Sequence, residues 1–263
     1  MFSNQCTRCP KKSKCPPLSK MSHFFWDTLC QLISSKKLGQ FFFYLCSRES
    51  DPDMEVWSIS SAAVQCLSQL CEFFSTPVDN KIGSFIQVYI NSSDINLKFT
   101  SIICVSTLLS MQDQQSKVSV VSSFLQISQD LLSDSCFNIK YAASFVLYKI
   151  SEISLSIILQ DQQMIQTFEN LCLSCINSEQ PKVVENGCYS IGNFYREISN
   201  FNGEIFMKIF NRLLFLSEAQ TSQQIQQAVS SSIIDIVEHF PLEYYKLLGT
   251  YQGNARGYLG YIL

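Results

Sequence analysis

Apolar residues recur along this chain at intervals that place them on one side of a helix. Five segments share one pattern: an apolar anchor, two mostly small residues three and four positions later, and branched or aromatic residues eight and eleven positions later. Offsets of 0, 4, 8 and 11 lie on one face of an α-helix. The pattern therefore predicts five amphipathic helices, anchored by Ile59, Leu97, Ile139, Val183 and Ile225.

The spacing of the anchors predicts how these helices are arranged. They are 38, 42, 44 and 42 residues apart, and a period of about 40 is typical of repeats built from helix pairs. Small residues beside each anchor allow a second helix to approach closely. We therefore predict an all-α fold, a HEAT/armadillo-type helical-repeat solenoid (an α-α superhelix). The small pairs are Ala62/Ala63, Thr100/Ser101, Ala142/Ala143, Asn186/Gly187 and Ala228/Val229.

The same periodicity predicts the helix limits and the organisation of the chain. Residues 1–22 are expected to form an irregular leader, residues 23–248 a HEAT-repeat array of about five helix pairs, and residues 249–263 an irregular tail. An array that stops in mid-repeat without a polar cap is expected to be part of something longer. The predicted helices are 24–34, 38–46, 58–74 and 242–248, and the pairs 81–91 with 95–110, 117–132 with 137–154, 163–177 with 182–198 and 204–217 with 222–239.

Composition and charge narrow the class of function. The chain is 46% hydrophobic, with 19 basic and 22 acidic residues and a formal net charge of −3. It has no basic stripe of the kind that binds nucleic acid, no uncharged apolar run long enough to span a membrane and no secretory signal. Many of the 12 cysteines fall within helical patterns, where a reduced thiol packs as a small hydrophobe. We therefore expect a soluble intracellular protein with reduced cysteines.

Candidate catalytic and metal-binding residues are few. His23 and His239 are the two histidines, and neither lies in a nucleophile, phosphate-binding or metalloprotease motif. We therefore expect that this chain is not an enzyme and binds no cofactor. The leader has four potential zinc ligands, but they do not form a repeated CxxC pattern, and we expect no metal there. These ligands are Cys6, Cys9, Cys15 and His23.

One segment of the chain permits a comparison with a known family. The acidic residues 51–55 run directly into Trp57 and a helix rich in small residues, 57–67. This arrangement resembles the middle of importin-β, a nuclear transport receptor of the karyopherin family. The resemblance extends in order over about 210 residues, 38–248, through the segments 91–109, 137–153, 178–198 and 230–240.

The resemblance implies a binding face and its partners. In importin-β the second helix of each pair lines a concave surface, where acids and aromatic rings bind the basic segment of the adaptor importin-α. Ran GTPase and nucleoporins are further partners, and the receptor moves between cytoplasm and nucleus. Aromatic faces and carboxylates together suit guanidinium and ammonium groups. Matched position by position, the partner-binding residues are Asp51, Asp53, Glu55, Trp57, Phe145, Glu185, Asn186 and Tyr189.

The sequence departs from importin-β at several of these positions. Asp51, Asp53 and Glu55 stand in for a long acidic loop, and Phe145 and Tyr189 stand where the family has inner tryptophans. Phenylalanine and tyrosine offer weaker cation–π faces than tryptophan, and the repeats that make the main Ran contact lie outside the matched region. We therefore expect weakened binding of a basic segment, opposed further by Lys98, Lys140 and Lys182.

Each interpretation has a structural alternative. The acidic segment 51–55 could be a solvated loop, and Trp57 could pack at a helix start. Phe145 and Tyr189 could lie in the core between helices, and Asn186 and Asn193 could only satisfy neighbouring backbone groups. For the whole chain, the alternative function is a generic HEAT-repeat scaffold for protein–protein interaction.

Overall fold

The computed structural model describes residues 75–199, 202–219 and 221–240. Every element within these ranges is a helix, so the predicted all-α fold is confirmed for this part of the chain. The predicted leader, the tail and the helices 24–34, 38–46, 58–74 and 242–248 lie outside the described residues. So do the predicted partner-binding residues Asp51, Asp53, Glu55 and Trp57, and the four potential zinc ligands at which no metal is expected, Cys6, Cys9, Cys15 and His23.

Nine helices follow one another in the described ranges. Apart from one short helix, they correspond to the four predicted helix pairs between residues 81 and 239, with limits that agree closely except at the start of the first helix. The helices are α1 (Ser75–Tyr89), α2 (Ile95–Met111), α3 (Gln114–Leu132), α4 (Phe137–Ile153), α5 (Leu155–Ile158), α6 (Gln162–Ile176), α7 (Pro181–Glu197), α8 (Gly203–Glu218) and α9 (Gln223–His239).

Side-chain caps explain why most of these helices start where they do. The Asp94 carboxylate accepts hydrogen bonds from the backbone N–H groups of Asn96 and Leu97 at the start of α2. Such caps satisfy the first backbone donors of a helix, which have no partner within it. The helix α7 begins instead with Pro181, whose fixed φ suits the first helical position. Equivalent caps are Asp113 for α3, Asp161 for α6, Asn202 for α8 and Ser222 for α9.

The structure differs from the sequence prediction at one helix boundary and by one additional helix. The helix α1 begins at Ser75 rather than at residue 81, with Pro77 in its first turn. Proline is tolerated there because first-turn N–H groups have no helical acceptor. The short helix α5 was not predicted, since four residues are too few to show a helical period. It buries Leu155, Ile157 and Ile158 in the core.

The helices form two layers. The first-helix layer contains α1, α3, α6 and α8, and the second-helix layer contains α2, α4, α7 and α9. Within the second-helix layer, α2 packs on α4, α4 on α7 and α7 on α9, while α3, α6 and α8 pack in series in the other layer. Each of α4, α7 and α9 also packs against the preceding helix of the first-helix layer, and the core lies between the layers.

The predicted anchor pattern is confirmed by burial in the second-helix layer. The anchors Ile139, Val183 and Ile225 are buried, and Leu97 is partly exposed. The positions at offsets eight and eleven are buried in all four described helices. Burial of this repeated stripe against the first-helix layer supplies the hydrophobic stabilisation of the array. The buried stripe positions are Val105, Leu108, Leu147, Ile150, Ile191, Phe194, Ile233 and Ile236.

None of the described helices combines the length and the apolar composition that crossing a membrane requires.

Candidate protein-binding face of the second-helix layer

The structure places four of the eight predicted partner-binding residues in the described ranges. Phe145 lies on α4, and Glu185, Asn186 and Tyr189 lie on the adjacent helix α7. The rings of Phe145 and Tyr189 pack partly against the core and remain partly exposed. The sequence left open whether these two rings belong to the core or to a binding surface. The structure places one part of each ring against the core and exposes the other part.

An aromatic strip runs along the exposed side of this layer. We define it as Tyr141, Phe145 and Tyr148 of α4 with Tyr189 of α7. Spacings of four and three residues place the α4 members on one helix face. The centroids of the Tyr141 and Phe145 rings are 6.3 Å apart, and those of Tyr148 and Tyr189 are 6.0 Å apart. The strip therefore crosses from one repeat to the next.

Sequence reasoning missed Tyr141 and Tyr148. Their spacing around Phe145 was visible as a helical pattern of aromatic residues, and it distinguishes a helix face from isolated packing residues. Burial, together with the nearby Glu152 charge, raises the pKa of Tyr148. Burial and the Glu185 charge likewise raise the pKa of Tyr189. Both tyrosines are thus neutral hydrogen-bonding aromatic rings at neutral pH.

A lysine of the chain itself lies against the strip. The Lys149 ammonium group is 5.1 Å from the centroid of the Tyr148 ring and 5.8 Å from that of Phe145. The same Nζ atom is 2.6 Å from Glu152 Oε2, and the Tyr148 hydroxyl donates to Glu152 Oε1 over 3.4 Å. Two rings and one carboxylate thus surround one ammonium group, which is the arrangement that binds a lysine side chain.

The next repeat pairs its acid in a similar way. The Lys182 ammonium group lies 2.9 Å from Glu185 Oε2, three residues along α7. On the far side of α7, Arg196 Nη2 lies 3.3 Å from Asp235 Oδ2 of α9. The acids Glu152, Glu185 and Asp235 are therefore paired with basic groups of the chain, which reduces the negative potential that a basic ligand would meet.

Two asparagines join neighbouring helices of this layer. The Asn186 side chain donates a hydrogen bond of 3.0 Å to the Ser144 hydroxyl, and the Asn193 side chain donates one of 3.1 Å to the Ser151 hydroxyl. Both bonds run from α7 to α4, seven residues apart. Asn186 therefore has a structural role between helices, and its predicted role in partner binding stays a prediction.

One of the three lysines predicted to oppose a basic ligand, Lys98, forms an ion pair. The Lys98 ammonium group lies 2.6 Å from Asp134 Oδ2, in the connection between α3 and α4. The hydrogen bond from Lys98 lowers the pKa of Asp134, with a smaller contribution from the charge of Lys140. Lys98 thus joins α2 to the next repeat and its charge is partly neutralised there.

Several known proteins resemble this chain in sequence or in fold. No family model matches the sequence. Importin subunit beta-1 of Schizosaccharomyces pombe is 20% identical over 149 residues, which cover 57% of this chain and 17% of that protein. Yeast importin-β (Kap95p) in a structure with RanGDP matches at a TM-score of 0.69 and 14% identity, covering 88% of this chain and 26% of that one. The chain has the importin-β fold.

A second karyopherin agrees with this result. Kap121p bound to Nup53p matches at a TM-score of 0.64 and 17% identity, covering 88% of this chain and 22% of that chain. The resemblance predicted from the sequence is thus confirmed, and it is a resemblance of fold. The proteins matched are importins and karyopherins. The prediction that this chain is not an enzyme agrees with these matches. This chain spans only about a quarter or less of their length.

Two grooves lie in the first-helix layer within the part of this importin-β-like array that the structure describes. One, of about 340 Å³, lies between α1 and α3 over α2 and is mainly apolar, although Ser119 and Ser123 also line it. Its apolar residues include Ile86, Ile90, Val105, Leu108, Val120 and Phe124. The other, of about 370 Å³, lies between α3 and α6 and is lined by amide side chains that include Gln126, Gln129, Gln163 and Asn170. The first groove suits an apolar segment and the second a polar one.

The described residues contain no group of histidines, cysteines and acids arranged to hold a metal ion. The cysteines Cys172, Cys175 and Cys188 are buried free thiols between α6 and α7. Burial raises the pKa of Cys172 and Cys175 far above the usual range, and that of Cys188 to about 12. These thiols are protonated at neutral pH and unreactive, because the thiolate is the nucleophilic form.

Proposed function

We propose that the chain is a segment of a nuclear transport receptor. Its second-helix layer binds a basic targeting segment of an importin-α-like adaptor or of a cargo, for import into the nucleus. One observation supports this most directly: Phe145, Tyr148 and Glu152 already surround an ammonium group. The acids Asp51, Asp53 and Glu55 and the ring of Trp57 are proposed to extend the same surface.

The similar proteins support the wider assignment. Kap95p is similar in fold and is found with RanGDP, and Kap121p is found with Nup53p. We therefore include Ran GTPase and nucleoporins as partners of the whole receptor. Movement between cytoplasm and nucleus through the nuclear pore follows from the same proposal.

A labelled peptide rich in arginine and lysine is expected to bind with micromolar affinity at low salt. Exposed ion pairs contribute only about 0.2–1 kcal/mol each, and a ring contact about 0.5–2 kcal/mol. Affinity should fall as ionic strength approaches the physiological value, where the Debye length is about 8 Å. Tyr189→Ala should weaken binding about threefold to tenfold because it removes one ring contact. Fluorescence anisotropy measures these affinities.

The chain offers a matched control for this experiment. Phe215 is an aromatic residue of α8 in the other layer, 60% exposed, and Phe215→Ala should leave the affinity unchanged. A peptide with glutamine at each basic position should not bind. If Trp57→Ala, Asp53→Lys and Tyr189→Ala all leave the affinity at its original value in low salt, the transport proposal fails.

The alternative is a generic HEAT-repeat scaffold. It is favoured by the pairing of Glu152, Glu185 and Asp235 with basic groups of the same chain, since paired acids offer little attraction to a basic peptide. A scaffold of this kind would show no preference between the basic peptide and its glutamine counterpart. The peptide titration therefore separates the two functions.

A nucleoporin segment containing phenylalanine is expected to bind the apolar groove between α1 and α3. Ser123 lines this groove and is exposed, so Ser123→Trp should fill the groove without disturbing the core and abolish most of the binding. Ser230→Trp on the exposed side of α9 is the control. Isothermal titration with a Phe-Gly peptide measures the effect. Equal binding by both variants would contradict the assignment of this groove.

A further inference from the structure

We propose that Lys149 occupies the ammonium site of the second-helix layer in the free protein and competes with the incoming basic peptide. The site is defined as the rings of Phe145 and Tyr148 with the carboxylate of Glu152. This inference rests on the proposed function, because it concerns the same surface. It makes Lys149 an internal inhibitor rather than a contact residue.

The geometry gives Lys149 the position of a ligand. Its Nζ atom contacts both rings and Glu152 at once, at distances that a peptide lysine would adopt. A second ammonium group cannot occupy the same volume, and it would be repelled by the first. The site therefore accepts a basic peptide only in molecules whose Lys149 side chain has moved away.

The fold does not require this contact. Lys149 and Glu152 are three residues apart on one helix, and their side chains are 32% and 43% exposed. A pair of this kind holds no two elements together, in contrast to the pair formed by Lys98 and Asp134, which links two repeats. Exposed pairs are weak because solvent screens them and long side chains lose rotamer freedom. Lys149 can therefore be displaced.

The neighbouring repeat shows a related arrangement. Lys182 also precedes its acid, Glu185, by three residues, and its charge acts on the Tyr189 hydroxyl. An aromatic ring, an acid and a lysine thus occur together on both α4 and α7. When the competent state is only partly populated, the apparent affinity falls by that fraction. Self-occupancy accordingly accounts for the weak basic-peptide binding that we expect of this chain.

Lys149→Ala is expected to bind the arginine- and lysine-rich peptide about threefold to tenfold more tightly than the original protein. Alanine keeps the helix and leaves both rings and the carboxylate uncovered. Lys149→Arg keeps a cation in the site and should show no gain. Fluorescence anisotropy at low salt provides the dissociation constants.

Two controls separate site occupancy from a general loss of positive charge. Lys140→Ala removes one charge from the same helix, beside Asp134 rather than Glu152. Lys208→Ala removes a lysine that is paired within its helix to Glu204 at 2.7 Å, in the first-helix layer. Both should improve binding much less than Lys149→Ala. Equal gains for all three variants would overturn the inference, because they would reflect net charge alone.

A measurement on the free protein tests occupancy without any peptide. After reductive methylation with ¹³C, the dimethyl-lysine resonance that disappears in Lys149→Ala should be shifted by the ring currents of Phe145 and Tyr148. A resonance at the position of a solvent-exposed lysine would overturn the inference.

The peptide results distinguish the two proposals. If the original protein binds the peptide and Lys149→Ala binds no more tightly, the inference is wrong and the transport function stands. If neither binds at low salt, both are contradicted. A gain confined to Lys149→Ala supports both.

Discussion

Gly187→Ala is expected to lower the free energy of unfolding by about 1–3 kcal/mol, although alanine normally stabilises a helix interior. A Cβ atom at residue 187 of α7 would lie 2.6 Å from the Cβ of Cys175 and 3.2 Å from the backbone nitrogen of Ile176. Neither atom is the end of a flexible side chain, so α6 and α7 would have to separate. Urea denaturation followed by circular dichroism measures the change.

Two other glycines provide controls of graded severity. A Cβ at Gly83 in α1 would meet nothing within 4 Å, so Gly83→Ala should gain about 0.5–1 kcal/mol from helix propensity alone. A Cβ at Gly192 would lie 2.6 Å from Asp235 Oδ2, a carboxylate oxygen that can rotate away from Arg196. Gly192→Ala should therefore be nearly neutral. We expect Gly83→Ala to be the most stable of the three variants, Gly192→Ala the next and Gly187→Ala the least stable. Any other order would contradict this account of helix packing.

Glu169→Gln is expected to remove a pH dependence from the stability of the array. The Glu169 side chain of α6 is fully buried. Its Oε1 accepts a hydrogen bond of 3.0 Å from the Tyr195 hydroxyl, and Oε2 has no hydrogen-bond partner in the described part of the chain. Burial raises the pKa of this carboxyl from 4.5 to about 6, although the bond from Tyr195 opposes the rise.

The direction of the effect follows from proton binding. Between pH 4.5 and about 6 the folded state holds the Glu169 proton more tightly than the unfolded state does. The contribution of Glu169 to stability is therefore highest below pH 4.5 and falls as the pH rises, by about 2 kcal/mol in total at about 1.4 kcal/mol per pH unit. Above the folded pKa the loss is complete. Relative to the original protein, Glu169→Gln should gain this amount between pH 4.5 and pH 7.

The quantity to measure is the difference at each pH between the free energies of unfolding of the original protein and of Glu169→Gln. A difference is needed because other carboxyl groups titrate in the same range. Glu204→Gln is the control: the hydrogen bond from Lys208 lowers the pKa of Glu204, so its difference curve should have the opposite sign. Parallel pH profiles for the original protein and Glu169→Gln would show that Glu169 is not held in its protonated form by the fold.

The repeat architecture could be predicted from the sequence because it depends on local periodicity. The anchors Ile139, Val183 and Ile225 and the apolar positions after them are buried as their spacing required. A helix that must bury one face reveals that face by the period of its apolar residues. Four helix pairs were located in this way. The short helix α5 and the start of α1 were not, because neither has enough residues to show a period.

The candidate face was predicted only in part. The sequence, through its resemblance to importin-β, singled out Phe145 and Tyr189, and the structure places them on adjacent helices of one layer. The contact between Tyr189 and Tyr148 depends on how closely α4 and α7 pack. That distance depends in turn on partners about 40 residues away in the sequence, such as the bonds from Asn186 and Asn193 of α7 to Ser144 and Ser151 of α4.

Pairing between distant residues was decided by tertiary structure alone. The sequence showed Asn186 and Lys98 as polar residues on helix faces, with no indication that they bond Ser144 and Asp134. The contacts of Lys149 with Phe145, Tyr148 and Glu152 lie within one helix, and there the sequence shows the spacing but not the side-chain rotamers that bring these groups together. The spacing of apolar residues along the chain determines the helices. The chemistry of the face depends also on distances between helices, which that spacing does not specify.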